Sequence, residues 1–253
     1  MSTARSPSVR IYRRVSTRWD PLRDSLIAAD FHQVVPPDAF AEWEYINDRN
    51  TRVRFAPNVL LVEAVDGTAA DDFDRAHRGA CPSDHAIPDG GAEPERVTLI
   101  AGSDEAGKGE RERSIAVAAV LMPRAMEGEA LARGVRDSNS CTAAEVRELA
   151  RWIESAFAHC TQAIHPSRRA EALHAHASNE TRLLTAMHAH CLRALHAKAA
   201  FSLARVDRFA PNRPVAAALA LTHPLILIDE CVRGERHLAV AAASILSRAV
   251  SLR

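Results

Sequence analysis

The chain has 253 residues, enough for one large domain or two smaller ones, and its 47% hydrophobic content is that of a globular protein, not a disordered one. No stretch approaches the roughly 18 apolar residues of a membrane span, and five scattered cysteines without a Cys-x-x-Cys pair argue against a disulfide framework or structural zinc and fit a reducing cytoplasm. The formal net charge is zero but unevenly divided: Lys plus Arg against Asp plus Glu is 11 against 16 in residues 1–95 and 21 against 16 in residues 96–253. The C-terminal part is the basic one, as a nucleic-acid enzyme requires.

Residues 1–18 are rich in Arg and Ser and hold no acid, so they read as a solvated basic arm with Arg5, Arg10, Arg13 and Arg14; without an apolar stretch they are not a secretion signal. A strand over 9–15, a short helix over 21–29 and one or two strands over 53–65, around Pro57, predict a small α+β domain within residues 1–70. Trp19, Trp43 and Phe55 either pack its core, the usual fate of large aromatics, or stack on bases. Residues 71–95 read as a linker: Asp71-Asp72-Phe73-Asp74 is acidic, and Pro82, Pro88, Gly90, Gly91 and Pro94 break regular structure.

Residues 96–253 read as an α/β domain. Apolar runs at 97–101 and 114–122 predict a short buried strand and a second one pairing back on it. Residues 124–134 are helical. A longer helix over 142–158 has Thr142 as N-cap, Glu145 completing a capping box, and Val146, Leu149, Ile153 and Phe157 on its apolar face. A strand over 161–164 stops before Pro166, and one or two helices over 167–199 carry Leu183, Leu184, Met187, Cys191 and Leu195 at helical spacing. Strands at 201–206 and 225–228 and a closing helix over 237–250 follow. The order β-β-α-β-α-β-β-α predicts a mixed central sheet with helices on both faces. Seven histidines fall between positions 159 and 196. The i, i+2 spacing of His174 and His176, and of His188 and His190, puts them on different helix faces, which favours solvated helix surface over zinc binding.

The first strand leads into Gly102-Ser103-Asp104-Glu105-Ala106-Gly107-Lys108-Gly109. Two adjacent carboxylates at a strand end repel each other, and a hard divalent cation held by oxygen ligands is a natural compensation. The glycines let the backbone approach a ligand closely and offer bare N–H groups to a phosphate or hydroxyl. The plain alternative is a turn in which Asp104 caps a helix. A phosphate-binding P-loop is excluded, because glycine rather than Ser or Thr follows Lys108.

The octapeptide from Gly102 to Gly109 resembles the opening motif of the type-2 ribonucleases H, the HII and HIII branch. Three more segments resemble that family in the family's order: Gly134-Val135-Arg136-Asp137-Ser138, Val206-Asp207-Arg208-Phe209-Ala210, and Glu235 followed by the small-residue helix His237-Leu238-Ala239-Val240 to Arg248. The His-Leu-Ala-Val wording and the N-terminal extension lean towards the HIII type. The resemblance implies a ribonuclease H-like mixed sheet, preceded by an α+β domain that binds hybrids, and an endonuclease that cuts the RNA strand of RNA/DNA hybrids. It implies Asp104, Glu105, Asp207 and Glu235 as catalytic ligands of two divalent ions, Mg²⁺ or Mn²⁺. Asp229 and Glu230 compete with Glu235 for the fourth place, and Asp207 could instead be a turn residue before Pro211. Gly107, Lys108 and Gly109 would read the substrate 2′-hydroxyl, and Asp137 and Ser138 would line the substrate. The partner is hybrid nucleic acid, with no membrane, and the chain is expected to be a cytoplasmic monomer.

Three features depart from the family pattern. Asn139 stands where a lysine usually follows Asp-Ser, Glu110-Arg111-Glu112-Arg113 is unusually charged, and the sequence stops at Arg253 just after the small-residue helix, where relatives continue. The last of these motivates one alternative, a catalytically impaired relative that binds hybrids; a second alternative is another nuclease of this fold that acts on DNA.

Overall fold

The structure, a computed structural model, describes residues 8–13, 20–34, 43–56, 59–77, 95–220, 222–223 and 225–252. The expectations for Arg5, Arg14, Trp19, Pro57, Cys81 and the linker prolines and glycines of 82–94 lie outside them. The chain divides into two compact units, Met1–Thr98 and Leu99–Arg253, each with its own apolar core.

The first unit runs β1 (Ser8–Arg13), α1 (Asp20–Ala28), β2 (His32–Val34), β3 (Trp43–Ile46), β4 (Arg52–Ala56), β5 (Val59–Ala64), α2 (Gly67–His77) and β6 (Glu95–Arg96). Its six strands form one antiparallel sheet in the order β2-β3-β4-β5-β1-β6. Alternating residues Tyr12, Val53, Phe55, Leu60 and Val62 meet Leu22 and Leu26 of α1 and Phe73 of α2 in one core. Phe55 is buried and Trp43 stacks on it with centroids 5.3 Å apart, so both pack. Strands β2 and β3 carry no expectation, being too short for a pattern to register.

Two expectations are corrected here. Residues 71–77 are not linker but the greater part of α2: Ala70 and Phe73 are its buried face. Its acidic run is counter-charge for β1, because buried Arg10 pairs with both Asp71 and Asp74 and donates to Ala70 O at 3.2 Å. For the same reason Arg10 belongs to a strand interior and not to a solvated arm; a buried guanidinium needs such partners.

The second unit runs β7 (Leu99–Ala106), β8 (Ile115–Pro123), α3 (Glu127–Ala132), α4 (Ala143–Ala156), β9 (Ala158–Ile164), α5 (Arg169–Ala175), α6 (Glu180–Lys198), β10 (Leu203–Asp207), α7 (Pro214–Ala220), β11 (Leu227–Cys231) and α8 (Leu238–Ser251). The sheet order is β11-β10-β7-β8-β9, with β7, β10 and β11 mutually parallel and β8 antiparallel to β7 and β9. The mixed sheet is thus as expected, and Thr142 and Glu145 form the capping box at the start of α4. The helix stops at Ala156 and β9 starts three residues earlier than expected, since Ala158 already pairs with Leu121. Helix α7 was not expected, although Pro214 at its first position is a start signal. Among the described residues no helix is long and apolar enough to cross a membrane.

Strand periodicity assigns the two faces. Ile115, Val117, Ala119 and Leu121 of β8 pack with Leu184, Cys191 and Leu195 of α6. On the other face lies α8, whose run Ala239 to Ser247 is buried throughout. It lies on β7 so closely that a Cβ at Gly102 would stand 2.0 Å from the carbonyl carbon of Ala239. The small residues of α8 and the missing side chain of Gly102 are one device for bringing backbone against backbone.

Gly102→Ala is therefore expected to cost about 3 kcal/mol, the upper range for overpacking. Gly128→Ala, on exposed α3 with nothing near its Cβ, should add about 0.5–1 kcal/mol. Urea denaturation of both variants measures this pair of opposite signs; a neutral Gly102→Ala would contradict the close seating of α8 on β7.

Candidate active site

The strand expected to stop at Ala101 continues to Ala106, because β8 offers backbone partners along the way: Asp104 pairs with Ala118 and Glu105 with Val117. Adjacent strand residues point to opposite faces. Asp104 shares the α8 face with Gly102, while Glu105 shares the α6 face with Ser103. Both carboxylates nonetheless line one cleft of about 400 Å³ where the sheet ends.

Asp207 is the last residue of β10, whose parallel register sets Val206 against Ser103. One further step sets Asp207 level with Asp104. Gly234 N–H donates to Asp207 Oδ1 at 2.7 Å, and a Cβ at Gly234 would meet the Asp207 Cα at 2.9 Å. That contact seats the 3₁₀ turn Gly234–Arg236, and Glu235 within it lines the cleft. Asp229 and Glu230 do not. They lie inside β11, fully buried, because that strand runs three residues beyond its expected end. Asp229 pairs with buried Arg205 at 3.3 Å, and Glu230 Oε1 accepts from Ala216 N–H at 2.9 Å at the start of α7. Arg205 also donates to His237 Nδ1 at 3.1 Å, tying β10 to the residue that precedes α8.

The Gly107-Lys108-Gly109 turn forms another wall. Gly107 has φ +79°, and a Cβ there would stand 2.1 Å from Ser114 O, so only glycine fits. Lys108 Nζ donates to Phe209 O at 3.3 Å and lies 4.0 Å from Glu105 Oε1. Gly109 belongs to the same turn but does not line the cleft. Arg169, which the sequence did not single out, holds the turn from α5: it donates to Gly107 O at 3.4 Å and Glu110 O at 2.5 Å and pairs with Glu180 at 2.7 Å. Of the departures noted above, Asn139, Glu110 and Arg113 also line the cleft.

The Asp137–Ser138 loop faces the carboxylates. Asp137 Oδ1 accepts from Asn139 N–H at 2.9 Å and so fixes the loop. Ser138 Oγ lies 2.9 Å from Ser244 Oγ, and Ser244 hydrogen-bonds to Asp104. Arg248 of α8 donates to Ser138 O. One histidine departs from the solvated-surface expectation: His188 is fully buried on α6, with Nε2 3.2 Å from Glu105 Oε2. The i, i+2 argument placed His188 and His190 on different faces but could not say that one face is the core.

Burial first, then the charges of Glu105 and Asp207, push the Asp104 carboxyl well above the usual carboxylate range, against the pull of the Ser244 and Glu105 N–H hydrogen bonds. Burial and the charges of Glu105 and Glu235 likewise raise Asp207, opposed by the Gly234 and Arg208 N–H groups. Among the described residues no three acidic, histidine or cysteine side chains are closed into a ready ligand shell. The donor set is all oxygen, anionic and mutually repelling, which suits a hard divalent cation better than any other group.

The family model for ribonuclease HII matches residues 101–253. A ribonuclease HIII of Protochlamydia amoebophila (strain UWE25) is 31% identical over 152 residues, 60% of this chain and 50% of that protein, so the chain matches half the length of this curated relative. Among solved structures, Bst ribonuclease HIII in complex with Mn²⁺ has a TM-score of 0.53 at 19% identity, covering 97% of this chain and 81% of that one. Ribonuclease H3 of Aquifex aeolicus has a TM-score of 0.51 at 17% identity, covering 95% and 84%. The complex of PCNA and ribonuclease HII from Archaeoglobus fulgidus matches with a TM-score of 0.51 at 26% identity, covering 61% and 72%.

The carboxylate crowding has a consequence for stability. A folded-state Asp104 raised above its unfolded value binds protons more tightly in the native state. The native advantage is therefore present below the ordinary Asp range and lost as pH rises through the raised native value. In EDTA, Asp104→Asn is expected to be more stable than the parent by about 1–2 kcal/mol at pH 8, with the difference shrinking towards pH 5. Urea denaturation at both pH values measures it, and equal stability at pH 8 would refute the repulsion.

Proposed function

The chain belongs to the ribonuclease HII family, and from that membership we propose that it is an endonuclease hydrolysing the RNA strand of RNA/DNA hybrids, with Asp104, Glu105, Asp207 and Glu235 holding two divalent ions, Mg²⁺ or Mn²⁺. The observation that carries this reading is the convergence of four carboxylates from β7, β10 and the turn before α8 on one cleft. When bound, such ions activate the attacking water and stabilise the leaving 3′-oxyanion, leaving 5′-phosphate and 3′-hydroxyl ends.

The protein's own groups do the rest. Asp104 and Glu105 reach the cleft from opposite faces of one strand, so each is anchored separately, Asp104 through Ser244 and Glu105 through His188. Asp207 is steadied by the Gly234 N–H, which at the same time draws Glu235 into place. The Gly107-Lys108-Gly109 turn offers backbone N–H groups to the 2′-hydroxyl, the feature that separates RNA from DNA. Lys108 and Arg113 in the same wall supply positive charge to phosphate oxygens, and Asp137 and Ser138 form the opposite wall. All four carboxylates belong to one chain, and the enzyme is proposed to act as a monomer.

Cleavage of a labelled hybrid in Mg²⁺ and Mn²⁺, with an all-DNA duplex as control, tests the reading; cleavage of the DNA duplex alone would favour a DNA nuclease. Glu235→Gln is expected to lower the rate by about 10² or more without lowering the melting temperature. Asp229→Asn should instead destabilise the fold, by about 3 kcal/mol, because it breaks a buried ion pair with Arg205. The reverse pattern would move the fourth ligand to Asp229.

The N-terminal unit is assigned hybrid binding in the same proposal, supported by the likeness to ribonuclease HIII structures, which extends over nearly the whole chain. Each unit has its own core, so residues 99–253 can be produced alone. That fragment is expected to bind hybrid more weakly and with a shallower salt slope than the whole chain. Equal affinity across a salt series would assign the N-terminal unit another role.

A further inference from the structure

His188 sits in the middle of α6, fully buried beside Leu184, Cys191 and Leu192. An imidazole there costs desolvation unless both ring nitrogens find partners. Both do. Nδ1 lies 2.7 Å from Ser103 Oγ and Nε2 3.2 Å from Glu105 Oε2. The ring also stacks on Phe209, with centroids 5.0 Å apart and planes within 9°. Phe209 is itself tied to the substrate wall, since its carbonyl accepts from Lys108.

Ser103 and Glu105 are residues i and i+2 of β7, so they share a face, and the imidazole bridges them from α6. Because a carboxylate only accepts, Nε2 is the donor in its contact with Glu105. Glutamate has three freely rotating side-chain bonds, and a carboxylate left unanchored among like charges would swing away from them. The bridge engages Oε2 and leaves Oε1 on the Lys108 side of the cleft.

We propose that His188 is a positioning residue for the metal site: through Nε2–H it holds the Glu105 carboxylate so that its other oxygen is presented to a divalent ion. This rests on the reading of Glu105 as a ligand. Anchoring of ligands by outer hydrogen bonds is a general feature of metal sites.

Two substitutions of similar size separate positioning from packing. In His188→Asn the amide reaches only about as far as Nδ1, so the Ser103 contact can persist and the Glu105 contact is lost. In His188→Gln the amide reaches the place of Nε2, so a donor to Glu105 is kept. With the full chain and Mn²⁺ alone, titrated by electron paramagnetic resonance without nucleic acid, Mn²⁺ affinity should fall about 10–100-fold in His188→Asn and by no more than about threefold in His188→Gln. Melting temperatures in EDTA should drop alike for the two. Should His188→Asn fail to fold, Ser103→Ala, which frees Nδ1 while leaving the ring in place, is expected to weaken Mn²⁺ binding in the same direction and by less. Equal Mn²⁺ affinities for the Asn and Gln variants, or, where His188→Asn does not fold, an unchanged affinity in Ser103→Ala, would overturn the proposal and leave His188 as core. A folded parent protein that binds no Mn²⁺ would overturn the metal reading itself, a result distinguishable because it appears before any substitution is made.

Discussion

Like-charge repulsion at the end of one sheet is the constraint around which the second unit is arranged. Asp104, Glu105, Asp207 and Glu235 line the cleft together with Glu110 and Asp137, and the burial and neighbours of Asp104 and Asp207 raise both above the usual carboxylate range. Such a cluster is unfavourable by itself and persists only if surrounding contacts over-determine it. Those contacts come from separate elements: Ser244 of α8 on Asp104, Gly234 N–H on Asp207, and His188 of α6 on Glu105. Each anchor approaches from a different side, so no single helix carries the whole site.

The close seating of α8 on β7 makes this possible. Because Gly102 has no side chain and α8 is lined by alanine and serine, the helix backbone approaches the strand directly. The approach brings Ser244, Arg248 and Ser251 to the cleft from successive turns of one helix. The same geometry demands that the chain enter α8 at a defined point. Buried Arg205 supplies it by pairing with Asp229 on one side and donating to His237 on the other. The two acids of β11 are therefore committed to holding the scaffold, one at Arg205 and one at the start of α7, while Glu235 in the following turn is left to face the cleft.

The division between local and long-range information runs through particular residues. The sequence by itself determined the mixed sheet with helices on both faces and the capping box of Thr142 and Glu145, and, through the family resemblance of a few short segments, it pointed to Asp104, Glu105, Gly107, Asp137, Ser138 and Asp207 at the cleft while leaving Glu235 in competition with Asp229 and Glu230. Periodicity, caps and short motifs are written within about a dozen neighbouring positions, and that is the range over which pattern reading works. Tertiary structure alone decided which side chains are buried and by whom. Asp229 and Glu230 look like exposed strand-end charges until β11 pairs with β10 and encloses them. Asp71 and Asp74 look like linker until α2 folds against β1 and Arg10 claims both. His188 looks like one more surface histidine, because its partners Ser103 and Glu105 are 85 and 83 residues away. A buried polar group is defined by the partner that compensates its desolvation, and when that partner is distant in the chain no local pattern can announce it.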